Sequence, residues 1–282
     1  MGRMFLIISA LAAAAGTIVL LAVPSSRTTV TRLCTHTGLC DQSFRSPEAI
    51  DLIVDVSDGS SGTREHFEQT LDALLPWIGA RPGSSLRIIV QSARAVDATV
   101  VETVVSTMPA RTNAKARDVH MKRFLATTRE LLAKAMEPVF AQQSSLRQSP
   151  TAETISWVAL LSLPAGVAPG TIRRIVLITD AREVSTEFGD FECGTLPTSE
   201  AFLERLRAHD VLTPTSLEHI RLHFTFTEQK TIVRKRCPPM TVARIRGIQG
   251  LWTAAANHAG VLEITFETGA ITLHENEMED ES

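Results

Sequence analysis

Ile50-Asp51-Leu52-Ile53-Val54-Asp55-Val56-Ser57-Asp58-Gly59-Ser60-Ser61-Gly62 is the stretch on which the fold turns. An apolar run stops at an aspartate, and a turn rich in hydroxyls and glycine follows. Side chains alternate along a strand, so Asp55 and Ser57 leave its end on the same side. Oxygen ligands at the carboxyl end of a buried strand suit a hard divalent cation.

Outward from this stretch, strands and helices mostly alternate. Ile50–Val56 is apolar after Asp51, as parallel strands covered on both faces are. Thr63–Ile78 has helical spacing at Phe67, Leu71, Leu74 and Leu75, and Gly79 and Pro82-Gly83 end it. Leu86–Gln91 reads as a strand, and Ala98–Val105 reads equally as strand or helix. Ala114–Gln143 is a long amphipathic helix with Phe124, Leu125, Leu131, Leu132 and Met136 as its stripe. Thr151–Leu163 is a second helix, with Pro150 at its start. Arg174–Thr179 is a strand ending at Asp180. Ser199–His209 is a helix with Ser199 as cap candidate. Glu218–Thr227 alternates as a strand, Val242–His258 is helical, and Val261–Phe266 and Ala270–Leu273 close the set as short strands. The pattern predicts an α/β fold, doubly wound, with a mostly parallel sheet and helices on both faces. Ligands of such sheets bind beyond the carboxyl ends of the strands, where strand order reverses.

The chain has 282 residues, 44% of them hydrophobic, enough for one domain of about 200–250 residues or two small ones. Its formal net charge of −3 supplies no basic field for nucleic acid. Tyrosine is absent and aromatics are scarce, which argues against a stacking platform for bases or sugars.

Met4 to Val23 is an uncharged apolar run, preceded by Arg3 and ended by Pro24-Ser25-Ser26. It is long enough to cross a bilayer, and longer than the usual signal-peptide core. The expected organisation is a transmembrane anchor or signal peptide over 1–24, a tether over 25–47, the α/β domain over 48–274 and an acidic tail over 275–282. Flanking charges (Arg27, Arg32 and Arg45 after the run) favour the body on the cytoplasmic side. The four cysteines, even in number and in loops behind an apolar leader, favour an oxidising space and so the periplasm or cell exterior. Cys34, His36 and Cys40 match no common zinc spacing.

Three places converge if the ends of the first and fourth strands adjoin. They are the Asp55–Ser61 turn, the helix entry Ser149-Pro150-Thr151-Ala152-Glu153-Thr154, and the strand end Leu177-Ile178-Thr179-Asp180-Ala181-Arg182. Aspartate and hydroxyl oxygens would then surround one cation and leave a vertex for an incoming carboxylate or water.

In this the chain resembles the von Willebrand factor type A family. Its members carry Asp-x-Ser-x-Ser after the first strand, a threonine before a helix and an aspartate at a Thr-Asp-Gly-like strand end, which together form a metal-ion-dependent adhesion site. The resemblance runs from Asp51 to about Phe266. It implies Asp55, Ser57, Thr151 and Asp180 as ligands of Mg2+ or Mn2+. Gly59 stands where the family has its second serine, so Ser60 takes that place, with Ser61 or water as alternatives. Ala181 stands where the family has glycine, and Asp58 is an added acid. The same topology implies two disulfides, Cys193–Cys237 at the rim of the site and Cys34–Cys40 before the first strand. Each site residue also has a structural reading, since Asp55, Thr151 and Asp180 are all residue types that cap turns and helices.

Enzyme signatures are missing. There is no Gly-x-Ser-x-Gly elbow, no phosphate loop and no His-Glu-x-x-His. A haloacid-dehalogenase-like phosphatase needs a second acid two residues after the first, where Ser57 stands. The expectation is a membrane-tethered, extracytoplasmic module that binds a protein partner presenting a carboxylate, in adhesion or envelope-complex assembly, with no nucleic acid involved. The alternatives are a form secreted after cleavage, a metal-dependent hydrolase using Asp55, and a structural domain with a degenerate site.

Overall fold

A computed structural model describes residues 46–56, 63–92, 94–107, 113–141, 149–226 and 241–268, with Ile271 and Leu273. The anchor, nearly all of the tether and the acidic tail lie outside these residues. Among the described residues, no helix is long and apolar enough to cross a membrane.

In chain order the elements are β1 (Glu48–Asp55), α1 (Thr63–Gly79), β2 (Ser85–Gln91), a 3-10 turn (Ala95–Asp97), β3 (Thr99–Val105), α2 (Ala114–Ala141), α3 (Thr151–Leu160), β4 (Ile172–Thr179), a small hairpin of β5 (Val184–Ser185) and β6 (Gly189–Asp190), α4 (Ser199–Ala208), β7 (Ile220–Phe226), α5 (Val242–Ala259) and β8 (Glu263–Thr268). Six strands make one sheet in the order β3-β2-β1-β4-β7-β8. All neighbours are parallel except β3, which runs antiparallel to β2. The chain steps outward from β1 through β2 to β3 and then returns to β4 on the other side of β1. Strand order therefore reverses between β1 and β4, the place where such sheets bind ligands. This is the mixed α/β architecture the alternation of elements predicts.

The local reasons are ordinary ones. Every residue of β1 is buried. Ile50, Leu52 and Val54 share a core with Phe67, Leu71, Leu74 and Ile78 of α1 and with Leu132 and Met136 of α2. On the opposite face Ile53, Ile175, Leu177, Leu222 and Phe224 pack with Ile155, Val158, Phe202, Leu251 and Trp252. Ala98–Val105, readable either way in sequence, resolves as the edge strand β3, as its Val and Thr residues favour. Glu102 Oε1 accepts the Thr103 N–H over 2.9 Å.

Several expectations change in detail. Leu131 is exposed rather than part of the α2 stripe. Helix α3 ends at Leu160, before the expected Leu163. Thr198, not Ser199, caps α4, its side chain accepting the Ala201 N–H. Ile271 and Leu273, the described residues of the expected Ala270–Leu273 strand, belong to no strand and pack against the α1–α2 core.

Asp51, an acid inside an apolar run, has a structural partner set. Arg87 Nε and Arg173 Nε each lie 2.6 Å from one of its oxygens. Arg173 also donates to the carbonyls of Val158, Ala159 and Leu161, and Arg87 to that of Ser162. The two guanidiniums thus hold carbonyls in the last turn of α3 and just beyond it, where a helix leaves most carbonyls without internal partners. The axial position of α3 is fixed from its far end, and with it Thr151 at its start.

Candidate functional site

Asp55, the last residue of β1, is 2% exposed. Its Oδ2 accepts the hydroxyls of Ser149, at 2.9 Å, and Thr179, at 3.0 Å. Ser149 Oγ in turn accepts from Gln91 Nε2 at 2.8 Å. Thr151 Oγ1 lies 3.3 Å from Ser149 Oγ and 3.4 Å from Gln91 Nε2. The ends of β1, β2 and β4 and the entry to α3 therefore meet in one buried oxygen-rich network.

The entry to α3 is not capped by its own threonine. Thr151 is the first helical residue and is fully buried, and Pro150 before it offers no side-chain cap. Glu183 reaches in from the segment after β4, its Oε2 accepting the Ala152 N–H over 2.9 Å. Glu183 is itself fully buried, and burial pushes its carboxyl up to about 8, only partly offset by the Ala152 N–H and by Ser185. It is therefore protonated at neutral pH.

Asp180 follows β4 directly. Its Oδ1 accepts the Arg182 N–H at 3.0 Å, and its Oδ2 lies 3.1 Å from Arg182 Nε. Arg182 Nη1 reaches Glu192 Oε1 at 3.3 Å. Burial pushes the Asp180 carboxyl up, Arg182 pulls it back, and the charge of Asp55 pushes it up again. The charge of Asp55 is thus felt at Asp180. Directly after Asp180, Ala181 adopts φ +57°, a left-handed conformation that glycine favours, with its N–H on Thr179 Oγ1 at 3.1 Å. Trp252 Nε1 donates to the Ala181 carbonyl over 2.9 Å, pinning the strand end to the core.

Of the residues expected from sequence, Asp55 and Thr151 lie in this one network, and Asp180 follows the neighbouring strand β4 and pairs with Arg182. Ser57 and Ser60 lie outside the described residues, as do Cys34, Cys40 and Cys237. Cys193 is disulfide-bonded, and the partner expected for it, Cys237, lies outside the described residues. Sequence reasoning passed over Ser149, Thr179 and Gln91, which hold Asp55 and Thr151, and over Arg182, Glu183 and Glu192. Ser149 and Thr179 lay within the segments quoted for the site, and their hydroxyls next to a predicted strand end or helix start were the available signal. Nothing local marked Gln91 or Glu192.

The donor set is oxygen only, which fits the chemistry of Mg2+ or Mn2+. Among the described residues, no group of three or more His, Cys, Asp or Glu side chains is placed to hold a metal. Hydroxyls must therefore complete any shell that Asp55 and Asp180 begin.

No family model matches the chain. A search of curated proteins finds no match either. Among solved structures it is similar to a von Willebrand factor type A protein from Catenulispora acidiphila, with TM-score 0.32 and 10% identity over 64% of this chain and 33% of that one. It is also similar to proximal thread matrix protein 1 of the mussel byssus, with TM-score 0.34 and 13% identity over 77% of this chain and 49% of that one. The chain thus spans a third to a half of the length of these structures. The fold stands on its own strand order and pairing.

Proposed function

We propose that this chain is a type A-like binding module that engages a protein partner at the carboxyl end of β1 and β4, with a divalent cation between the two. The observation that carries the reading is the hydrogen-bonded set Asp55, Ser149 and Thr151, with Asp180 directly after the neighbouring strand β4, at the point where strand order reverses. In this reading Asp55, Asp180 and Thr151, with Ser57 and Ser60, hold Mg2+ or Mn2+, and a partner carboxylate completes the shell. Ser149 and Thr179 orient the Asp55 carboxylate by donating to Oδ2. Gln91 fixes Ser149, and Trp252 and Glu183 hold the Asp180 and Thr151 segments in place.

The same reading puts the module outside the cytoplasm, held to the membrane by the apolar run Met4–Val23 or released by cleavage behind it, in adhesion or envelope assembly. Cys193 pairs with Cys237 across the rim.

The experiment is a pair of assays on the full chain. Melting is followed with and without Mg2+ or Mn2+, and turnover of a generic phosphate ester is measured under the same conditions. Binding without catalysis predicts a rise in midpoint and no turnover. Metal-dependent turnover abolished by Asp55→Ala would establish a hydrolase instead.

A further inference from the structure

One acid of the proposed site, Asp180, already has a cation partner in the chain itself. Arg182 engages both oxygens of Asp180, one through its backbone N–H and the other through its guanidinium. The same guanidinium reaches Glu192. Its side chain is 14% exposed, so it is held between two acids rather than free in solvent.

Each neighbouring contact fixes that arrangement. Asp190 Oδ1 accepts the N–H groups of Glu192 and Cys193, at 2.9 and 2.7 Å, and the Gly194 N–H bonds the Asp190 carbonyl at 2.9 Å. A Cβ on Gly194 would lie 2.6 Å from that carbonyl oxygen, so the turn takes only glycine. Arg244, in the first turn of α5, donates to the carbonyls of Phe191, Glu192 and Gly194. The loop carrying Glu192 is thus tied down, and Glu192 is a rigid second anchor for Arg182.

A buried carboxylate pair without a counter-charge is strongly destabilising, so a site that loses its metal ordinarily loses stability with it. Here a tethered guanidinium offsets part of that cost. We infer that Arg182 is the residue that sets cation occupancy at this site: it stands in for the metal when none is bound, and a divalent ion must displace it from Asp180 to bind. The inference rests on the proposed cation site and adds to it the determinant of affinity. A site so built takes its metal weakly and folds without it.

The test is calorimetric titration of MgCl2 and MnCl2 into the full chain and into Arg182→Gln and Arg182→Lys. Arg182→Gln removes the competing charge, and its dissociation constant falls by tenfold or more relative to the native chain. Arg182→Lys keeps the charge and stays within about threefold of native. If the native chain binds and Arg182→Gln binds no more tightly, Arg182 is not the determinant, although the cation site stands. If neither binds, both the site and this inference fail. If only Arg182→Gln binds, the inference holds, and the native chain is shown to be closed to metal. Should Arg182→Gln fail to fold in metal-free buffer, its melting in millimolar Mg2+ is read instead; cooperative unfolding restored by the ion supports the inference, and its absence overturns it.

Discussion

Ser149 donates its hydroxyl to Asp55 Oδ2 over 2.9 Å, joining two segments 94 residues apart in the chain. This contact ties the end of β1 to the entry of α3 and so holds the site together before any ligand arrives. Ser149→Ala removes one of the two hydroxyls on a buried carboxylate oxygen and the shorter acceptor of the Gln91 amide, at a cost of about 1–3 kcal/mol in urea unfolding. Thr179 also donates to Asp55 Oδ2, so Ser149→Ala with Thr179→Val costs more than the sum of the two single changes.

Ala181 makes a prediction about backbone. At φ +57° a branched side chain is far out of place, and Ala181 is fully buried. Ala181→Gly relieves the conformation but loses a buried methyl and loosens the unfolded chain, so its stability stays within about 1 kcal/mol of native. Ala181→Val combines strain with overpacking and costs about 3 kcal/mol or more by the same denaturation measurement.

Stability depends on pH through two buried groups of opposite sign. The Glu183 carboxyl is raised from 4.5 to about 8, so between those values the folded chain holds a proton that the unfolded chain has released. Its contribution is complete below pH 4.5 and lost as pH rises through 8. Burial, with Arg174 and Arg221 nearby, lowers His223 from 6.5 to about 3, so the folded imidazole stays neutral while the unfolded one gains a proton. Its contribution is complete above pH 6.5 and lost as pH falls toward 3. These two slopes oppose one another between pH 4.5 and 6.5. Glu183→Gln keeps an acceptor for the Ala152 N–H and removes the alkaline slope, at most about 1.4 kcal/mol per pH unit. Unfolding free energies of native and variant from pH 4 to 9 check this; parallel curves would refute it.

Asp51 is the keystone of the opposite end. Asp51→Ala leaves the Arg87 and Arg173 guanidiniums without their counter-charge in the core, a change that costs about 3–5 kcal/mol. Because these arginines also hold the carbonyls at the end of α3, amide exchange quickens along α3 more than along α1 in the variant. Equal quickening in both helices would show that the clamp does not act on α3.

Much of this was legible in the chain. The strand β1 was readable because its apolar run is continuous, and helices α1, α4 and α5 because their apolar spacing is helical. Edge strand β3 was ambiguous because an edge strand is only half covered, so its pattern is neither continuous nor strictly alternating. The hairpin of β5 and β6 was missed because two-residue strands carry no period. Asp55, Thr151 and Asp180 stand out in sequence because each sits where a predicted element begins or ends. Arg182 was not singled out, since an arginine two residues beyond a strand usually points to solvent; only the fold reveals Asp180 and Glu192 on either side of it. Glu183 was passed over for a similar reason, because its role as the cap of α3 spans 31 residues.

The central claim is that Asp55 and Asp180 hold one divalent ion at the β1/β4 switch point. Mn2+ titrated into the full chain, with bound metal read by electron paramagnetic resonance, tests it most directly. The account predicts one bound Mn2+ per chain at millimolar metal, displaced by excess Mg2+ and lost in both Asp55→Ala and Asp180→Ala. Mn2+ binding that survives unchanged in both folded variants would contradict it.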